Sequence, residues 1–413
     1  MLSSRSPTEA TVTAEDVAAA RPAAESVARR TPVLSSRTIS ERAGGVVALK
    51  AENLQATGSF KVRGVAAKLA ALGEEGCRNG VVAASAGNHA QALAAAARLR
   101  GVACEVFVPS DAPLAKVEAA RGQGAKIHVG GGSVDECLAA ARERAEQGGL
   151  AFVHPFDDPH VVAGQGSLGL ELLEDVPDLA KVVIPVGGGG LCAGVAIAVK
   201  TARPEVEVVG VQVAACAPYP ESLRRGAPVP AASALTIADG IAVKRPGALT
   251  LGLLARWSDD IVVVGEDETA EAMVVLMERC KLVVEGAGAV GVAALLGGQV
   301  PAAATGTTVA VLSGGNVDPG LLASIARRHE TEAGRRLVLL TRVADRPGNL
   351  ARLLDCVAAQ GANIVEVTHV REGLDLHVRE TAVELVIETR GHDHARTVVA
   401  ALGESGYDAR VLR

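Results

Sequence analysis

The sequence predicts an α/β body built on parallel sheets, followed by a small separate β-α-β-β-α-β unit. Three features point to it. Short apolar, β-branched runs alternate with Ala-rich helical stretches through the first three hundred residues, the pattern of strand–helix units with buried strands. The 413 residues include 46 Gly and only seven aromatics (4 Phe, 2 Tyr, 1 Trp), which suits close helix–sheet packing. After a charged stretch at 327–336 (RRHETEAGRR) the alternation changes to paired strands, so a domain boundary is expected near residue 330.

The elements follow in order. A strand at 81–84 runs into a turn at 85–87 and a helical segment to about residue 100. The run 103–108 is apolar and β-branched, with a helical stretch around 112–121. The strand 182–186 leads through four glycines into a helix at 191–201, and 206–213, 261–264 and 308–312 add short apolar strands. In parallel sheets ligands gather at the carboxyl ends of strands, so the strand-to-helix turns are the places to search. In the tail, strand 337–343, helix 349–360, strand 363–370, strand 381–389, helix 394–403 and strand 407–412 give the order of a ferredoxin-like split βαβ unit.

Composition excludes several function classes. The net charge is −6 and aromatics are scarce, so no nucleic-acid partner is expected. Cysteines at 77, 104, 137, 192, 216, 280 and 356 show no CxxC and no Cys/His pairing at ligand spacing. They read as reduced, mostly buried thiols, with no metal site expected. The N-terminus lacks a basic region followed by an apolar stretch, and Glu9, Glu15 and Asp16 argue against a transit peptide. The uncharged runs 182–199 and 286–317 are broken by Pro185 and four glycines, and by Gln299, Thr305, Thr307, Thr308 and Asn316. Neither forms a continuous apolar helix of about 20 residues. A soluble, cytoplasmic protein with no membrane partner is expected.

Four turns carry candidate chemistry. Gly187, Gly188, Gly189 and Gly190 follow a strand and open a helix, so several backbone N–H groups can face one anion; a tightly packed turn is the bland alternative. Ser85-Ala86-Gly87-Asn88-His89 could hold a carboxylate at a helix start, and simple N-capping would explain it as well. Ser313-Gly314-Gly315-Asn316 places a hydroxyl at a third strand end. Lys61 lies in an apolar context in Thr57-Gly58-Ser59-Phe60-Lys61-Val62-Arg63-Gly64. Gly286-Ala287-Gly288-Ala289-Val290-Gly291 matches the dinucleotide fingerprint, but no acidic residue occurs between Glu285 and Asp318 to take a ribose hydroxyl. Glycines for close packing explain it better.

Taken together, these motifs resemble the fold-type-II pyridoxal-phosphate enzymes (tryptophan synthase β-like), specifically the threonine ammonia-lyases, or threonine dehydratases. The stretches 51–64, 85–89, 187–190 and 313–316 occur in that family's order, joined by His154-Pro155-Phe156-Asp157-Asp158-Pro159 and Ala238-Asp239-Gly240-Ile241-Ala242. The tail, with Asp345-Arg346-Pro347-Gly348-Asn349-Leu350 and Gly361-Ala362-Asn363-Ile364, resembles an ACT regulatory domain. The resemblance implies a catalytic domain at 1–328 with a smaller subdomain inserted at about 50–154, a linker at 329–335 and an ACT domain at 336–413.

The resemblance further implies roles. Lys61 forms the Schiff base with pyridoxal 5'-phosphate, since its amine can make and exchange an imine. Gly187, Gly188, Gly189, Gly190 and Leu191 hold the phosphate, Asn88 bonds the ring hydroxyl, and Phe60 packs on the ring. Glu285 lines the cofactor, and Ser313 faces the pyridine nitrogen, where a hydroxyl tempers the electron sink. Ser85, Gly87, Asn88 and His89 take the substrate carboxylate. The implied reaction is a β-elimination: Lys61 removes the α-proton, the β-hydroxyl leaves, and hydrolysis yields a 2-oxo acid and ammonia. From threonine the product is 2-oxobutanoate; from serine it is pyruvate.

Two departures separate the chain from the similar serine racemases. Ala86 stands where those enzymes carry a serine that shuttles a proton, and 212–218 (QVAACAP) lacks their metal-holding Glu and Asp. Gly286 follows Glu285 where relatives often have proline. Serine or 3-hydroxyaspartate ammonia-lyase is the competing activity, because a methyl group in an apolar pocket discriminates by only about 1–3 kcal/mol. A non-catalytic amino-acid sensor is the alternative of a different class. For the tail, Gly348, Asn349, Leu350, Asn363 and Ile364 are expected to bind a branched-chain amino-acid effector across a paired interface. An allosteric homotetramer or homodimer serving isoleucine biosynthesis is the implied setting.

Overall fold

The computed structural model describes residues 11–412 apart from Ala86, Asp111, Pro113, Ala234 and residues 372–375. The racemase comparison at Ala86 and the acidic Glu9 therefore lie outside the described residues. The chain divides into two compact units, 1–318 and 319–413.

The first unit is built on two parallel sheets. The larger has six strands in the order Val33–Ser35, Val47–Lys50, Thr307–Val311, Leu179–Pro185, Glu207–Val213 and Asp260–Val264. Only its first pair is antiparallel. The smaller sheet runs Lys126–Val129, Cys104–Val108, Val81–Ala84 and Ala151–Phe152, all parallel. The central strands are buried on both faces, as at Val182, Val183 and Ile184, which is why they read as continuous apolar runs. Some of the excess glycine sits where helices cross. Helix Pro159–Asp175 packs on Lys61–Cys77 and on Gly190–Ala202. A Cβ on Gly64 would lie 2.7 Å from Val161 O, and one on Gly194 would lie 2.3 Å from Val162 O.

The second unit has the ferredoxin-like order Asn363–Val370, Glu380–Glu388, Arg336–Ala344, Arg410–Leu412, with every pair antiparallel. Helices Asn349–Ala359 and His392–Glu404 share one core with the sheet, centred on Leu339, Leu353, Val383, Leu385 and Val398. The expected boundary near 330 is corrected by this arrangement. Helix Pro319–Glu332 packs on the strand Arg336–Ala344 and so belongs to the second unit. The expected linker 329–335 is helix as far as Glu332. A run of charge on an exposed helix reads, in sequence, like a tether. Among the described residues no helix is long and apolar enough to cross a membrane.

Candidate active site

Three strand ends and one helix start converge in the first unit. The strand Leu179–Pro185 runs through Gly187, Gly188 and Gly189 into helix Gly190–Ala202. Strand Val81–Ala84 leads to helix Asn88–Leu99, and Thr307–Val311 delivers Ser313. Lys61 opens helix Lys61–Cys77. Its stretch is tied to the third strand end, because Phe60 N–H donates to Ser313 O at 3.1 Å and Ser59 pairs antiparallel with Gly314. The result is a cavity where apolar walls and a few polar groups converge, the usual make-up of a small-molecule site. Phe60, Lys61, Asn88, Gly187, Gly188, Gly189, Gly190, Leu191, Glu285 and Ser313 all line it. These are the ten residues expected from the sequence to touch the cofactor.

The titratable groups of this cavity stand near neutrality. Burial pushes the Lys61 ammonium down to about 8, with the Glu285 charge opposing. Lys61 Nζ donates to Pro155 O at 2.9 Å and lies 5.1 Å from the Phe60 ring centre. Burial, helped by Asp239, pushes the Glu285 carboxyl up to about 7. Asn88 Nδ2 donates to Glu285 Oε1 at 2.6 Å.

The glycine turn is an anion cradle. Gly189 caps helix Gly190–Ala202 with φ +87° and no capping side chain, so the helix start presents bare N–H groups with a favourable dipole. The turn needs glycine for contact as well. A Cβ on Gly188 would lie 2.0 Å from the Phe156 ring, and one on Gly187 would lie 2.9 Å from Ile241 Cα. Tyr219, fully buried, donates its hydroxyl to Gly188 O at 2.9 Å and fixes the turn from behind.

Comparison with known proteins agrees with this geometry. The family described as pyridoxal-phosphate dependent enzyme matches residues 25–314. The chain belongs to that family. The L-threonine ammonia-lyase of Thermotoga maritima is 44% identical over 402 residues, 97% of this chain and all of that protein. Among solved structures, serine racemase from Dictyostelium discoideum is 38% identical with TM-score 0.70, covering 75% of this chain and all of that one. The threonine deaminase of T.th. is 40% identical with TM-score 0.69, covering 74% of this chain and 99% of that one.

Pyridoxal phosphate is the cofactor of this family, and the cavity of this pyridoxal-phosphate enzyme fits it. The uncapped glycine turn suits a phosphate dianion, Lys61 with its lowered pKa suits a carbonyl, and Ser313 is buried with its hydroxyl 3.5 Å from Ala287 O. The expected carboxylate turn is more divided. Gly87 N–H donates to Ser85 Oγ at 3.1 Å, and helix Asn88–Leu99 starts without a side-chain cap. The His89 ring is turned into the core, with Nε2 at 2.9 Å from Val153 O, and burial pushes it down to about 3. Only its backbone is left at the helix start. Ser85, Gly87 and His89 are not among the cavity-lining residues.

Sequence reasoning assigned no role to Phe156, Gln165, Gly240 or Ile241, all of which line the cavity. The motifs at 154–159 and 238–242 marked three of them without saying what they touch. The packing role of 286–291 is visible directly: a Cβ on Gly286 would lie 2.5 Å from Ile237 O, and one on Gly288 2.7 Å from Gly314 O. The first contact also excludes proline at 286. Gln212, fully buried, donates to Val186 O and accepts from Tyr219 N–H, so the stretch 212–219 braces the glycine turn. In the second unit, Gly348 caps helix Asn349–Ala359 with φ +88°, and Asn349 Nδ2 donates to Ala344 O. Asn363 and Ile364 open the edge strand Asn363–Val370, where Asn363 Nδ2 donates to Glu388 Oε2.

Proposed function

We propose that this chain is an L-threonine ammonia-lyase, converting threonine to 2-oxobutanoate and ammonia and serine to pyruvate. The observation that carries the reading is the joining of all ten expected cofactor residues around one cavity with a half-buried Lys61 whose pKa is lowered to about 8. Similarity to a lyase over 97% of the chain supports the same activity.

Bound pyridoxal phosphate supplies an electron sink next to the substrate amine. Lys61 Nζ would hold the cofactor and would also be the base for the substrate α-proton; its lowered pKa leaves a useful fraction of neutral amine near pH 7. The backbone N–H groups from Gly187 to Leu191 would bind the phosphate. Phe60 would pack on the ring, Glu285 would border it, and Asn88 would donate to its oxygen. Ser313 would meet the ring nitrogen with a hydroxyl, which cannot hold a proton there as a carboxylate would. The start of helix Asn88–Leu99, with Ser85, Gly87 and the backbone of His89, orients the substrate carboxylate. Pro155 and Phe156 wall off water.

The same reading treats the first unit as catalytic and the second as an ACT regulatory domain. There a branched-chain amino acid binds at Gly348, Asn349, Leu350, Asn363 and Ile364 across paired copies of the unit, in a cytoplasmic homodimer or homotetramer. Titrating isoleucine and valine against activity, with the full chain, tests that part; an unchanged rate removes both as effectors. For the catalytic reading, the purified protein should show a visible cofactor band and release 2-oxobutanoate from threonine. Lys61→Ala should lose the band and at least about a thousandfold in rate. An active Lys61→Ala variant, or no oxo acid from threonine, serine or 3-hydroxyaspartate, would overturn the reading.

A further inference from the structure

We infer that Asn316 is a positioning residue: it decides which end of the Asn88 amide faces the cavity. The inference rests on the reading of Asn88 as the contact to the cofactor ring oxygen, and adds what orients that contact.

The polarity originates at a backbone carbonyl. Asn316 Nδ2 lies 2.9 Å from Thr57 O, and a carbonyl can only accept, so the nitrogen end of the Asn316 amide must point there. The same nitrogen lies 2.7 Å from Asn88 Oδ1 and donates its second hydrogen to it. Asn88 Oδ1 is thereby committed as an acceptor. Asn88 Nδ2 must then face the opposite way, where it donates to Glu285 Oε1 at 2.6 Å. Asn88 and Glu285 line the cavity, while Asn316 is not among the lining residues.

The fit around Asn316 leaves little freedom. Its Oδ1 lies where a side chain on Gly58 would be, only 2.3 Å from the Cβ position, and Gly58 has φ +71°. Glycine at 58 makes the room that lets Asn316 reach both acceptors. A carboxamide alone has two orientations of nearly equal shape, and only one presents a donor to the ring oxygen. The chain Thr57 O, Asn316, Asn88 selects that one. Asn316 and Thr57 are far apart in sequence and meet where Ser59 pairs with Gly314 and Gly315 N–H donates to Gly58 O.

The test uses Asn316→Asp, Asn316→Ser and Asn88→Ala in the full-length protein. A carboxylate at 316 accepts only, so the Asn88 amide should reverse and offer Oδ1 to the cavity. We expect the affinity of the apo-protein for pyridoxal phosphate to fall about tenfold in Asn316→Asp. The pH midpoint of the absorbance change of the Lys61-linked cofactor should rise by about one unit, because a ring oxygen without its donor holds a shared proton more tightly. Asn316→Ser, which keeps one donor and no charge, should shift less and serves if the aspartate variant folds poorly; melting temperatures of the apo-proteins report folding. In the Asn88→Ala background the position-316 effect should vanish.

Asn88→Ala with wild-type affinity and midpoint would overturn the Asn88 reading and this inference with it. A shifted Asn88→Ala beside unshifted position-316 variants would overturn the positioning role alone. A position-316 effect that persists in full without Asn88 would do the same.

Discussion

Lys61 and Arg63 lie two residues apart on one helix, the first half-buried at the cavity and the second fully buried, and end in opposite electrostatic states. Arg63 is fully buried and its guanidinium is closed by carboxylates. It donates to Glu52 at 2.8 Å from both Nε and Nη2, and to Glu171 at 2.7 and 3.0 Å. Burial alone would lower its pKa, and Glu52 with Glu171 more than offsets that, so it is raised. Glu52 is the mirror case: burial would raise it, but Arg63, Thr31 and Lys50 bring it below the ordinary range. Lys50 completes the cluster by donating to Glu171 at 2.6 Å. Lys61 meets a neutral carbonyl instead, and its charge is destabilised. Complete pairing makes a strut that stays charged, and incomplete pairing makes an amine that can lose its proton and react.

That contrast can be broken in order of expected effect. Glu52→Gln leaves the buried Arg63 short of a counter-charge, and should cost about 3 kcal/mol of stability in denaturant unfolding. The fraction that stays folded should keep its cofactor band, since Glu52, Arg63 and Glu171 are not among the cavity-lining residues. An unchanged midpoint would mean that pairing at Arg63 contributes nothing.

The reactive half is tested by pH. Only neutral Lys61 attacks a carbonyl, and its pKa is depressed to about 8. Uptake of pyridoxal phosphate by the apo-protein should therefore quicken as pH rises toward about 8 and level above it. The Glu285 charge holds the Lys61 proton in place. Glu285→Gln should thus move the uptake curve to lower pH, by about one unit or less. A shift to higher pH would refute the assigned coupling.

The smallest effect belongs to Gly291→Ala, remote from both charges. Its Cβ would make an ordinary 3.4 Å contact with Val183 O. Stability should change by less than about 1 kcal/mol, since helix propensity favours alanine, and cofactor affinity should stay constant in equilibrium titration.

How much of this was legible depends on where each residue finds its partner. The strand Val81–Ala84 and most of the second unit read directly from alternation and apolar runs. Four short strands were missed, for local reasons. Val47–Lys50 ends in a lysine that looks exposed and is buried against Glu171. Lys126–Val129 is a mixed-polarity edge strand, and Val33–Ser35 and Ala151–Phe152 are too short to show a period. In the site, Lys61, Asn88 and Ser313 were nameable because their turns carry recognisable motifs. Gln165 gave no signal, because a glutamine inside helix Pro159–Asp175 becomes a wall only when that helix crosses Lys61–Cys77.

The parallel α/β class, the split βαβ tail and the order of the glycine-bearing turns were present in the linear chain, and they follow from periodicity and from glycine, which are local properties. Lys61 was singled out only by the family resemblance of its motif. Packing alone decided that Arg63 is a strut while Lys61 meets a neutral carbonyl, that the His89 ring serves the core, and that helix Pro319–Glu332 belongs to the second unit. Each of these depends on which groups meet after distant segments come together. Burial and pairing set a group's charge, and neither can be read from its neighbours in sequence.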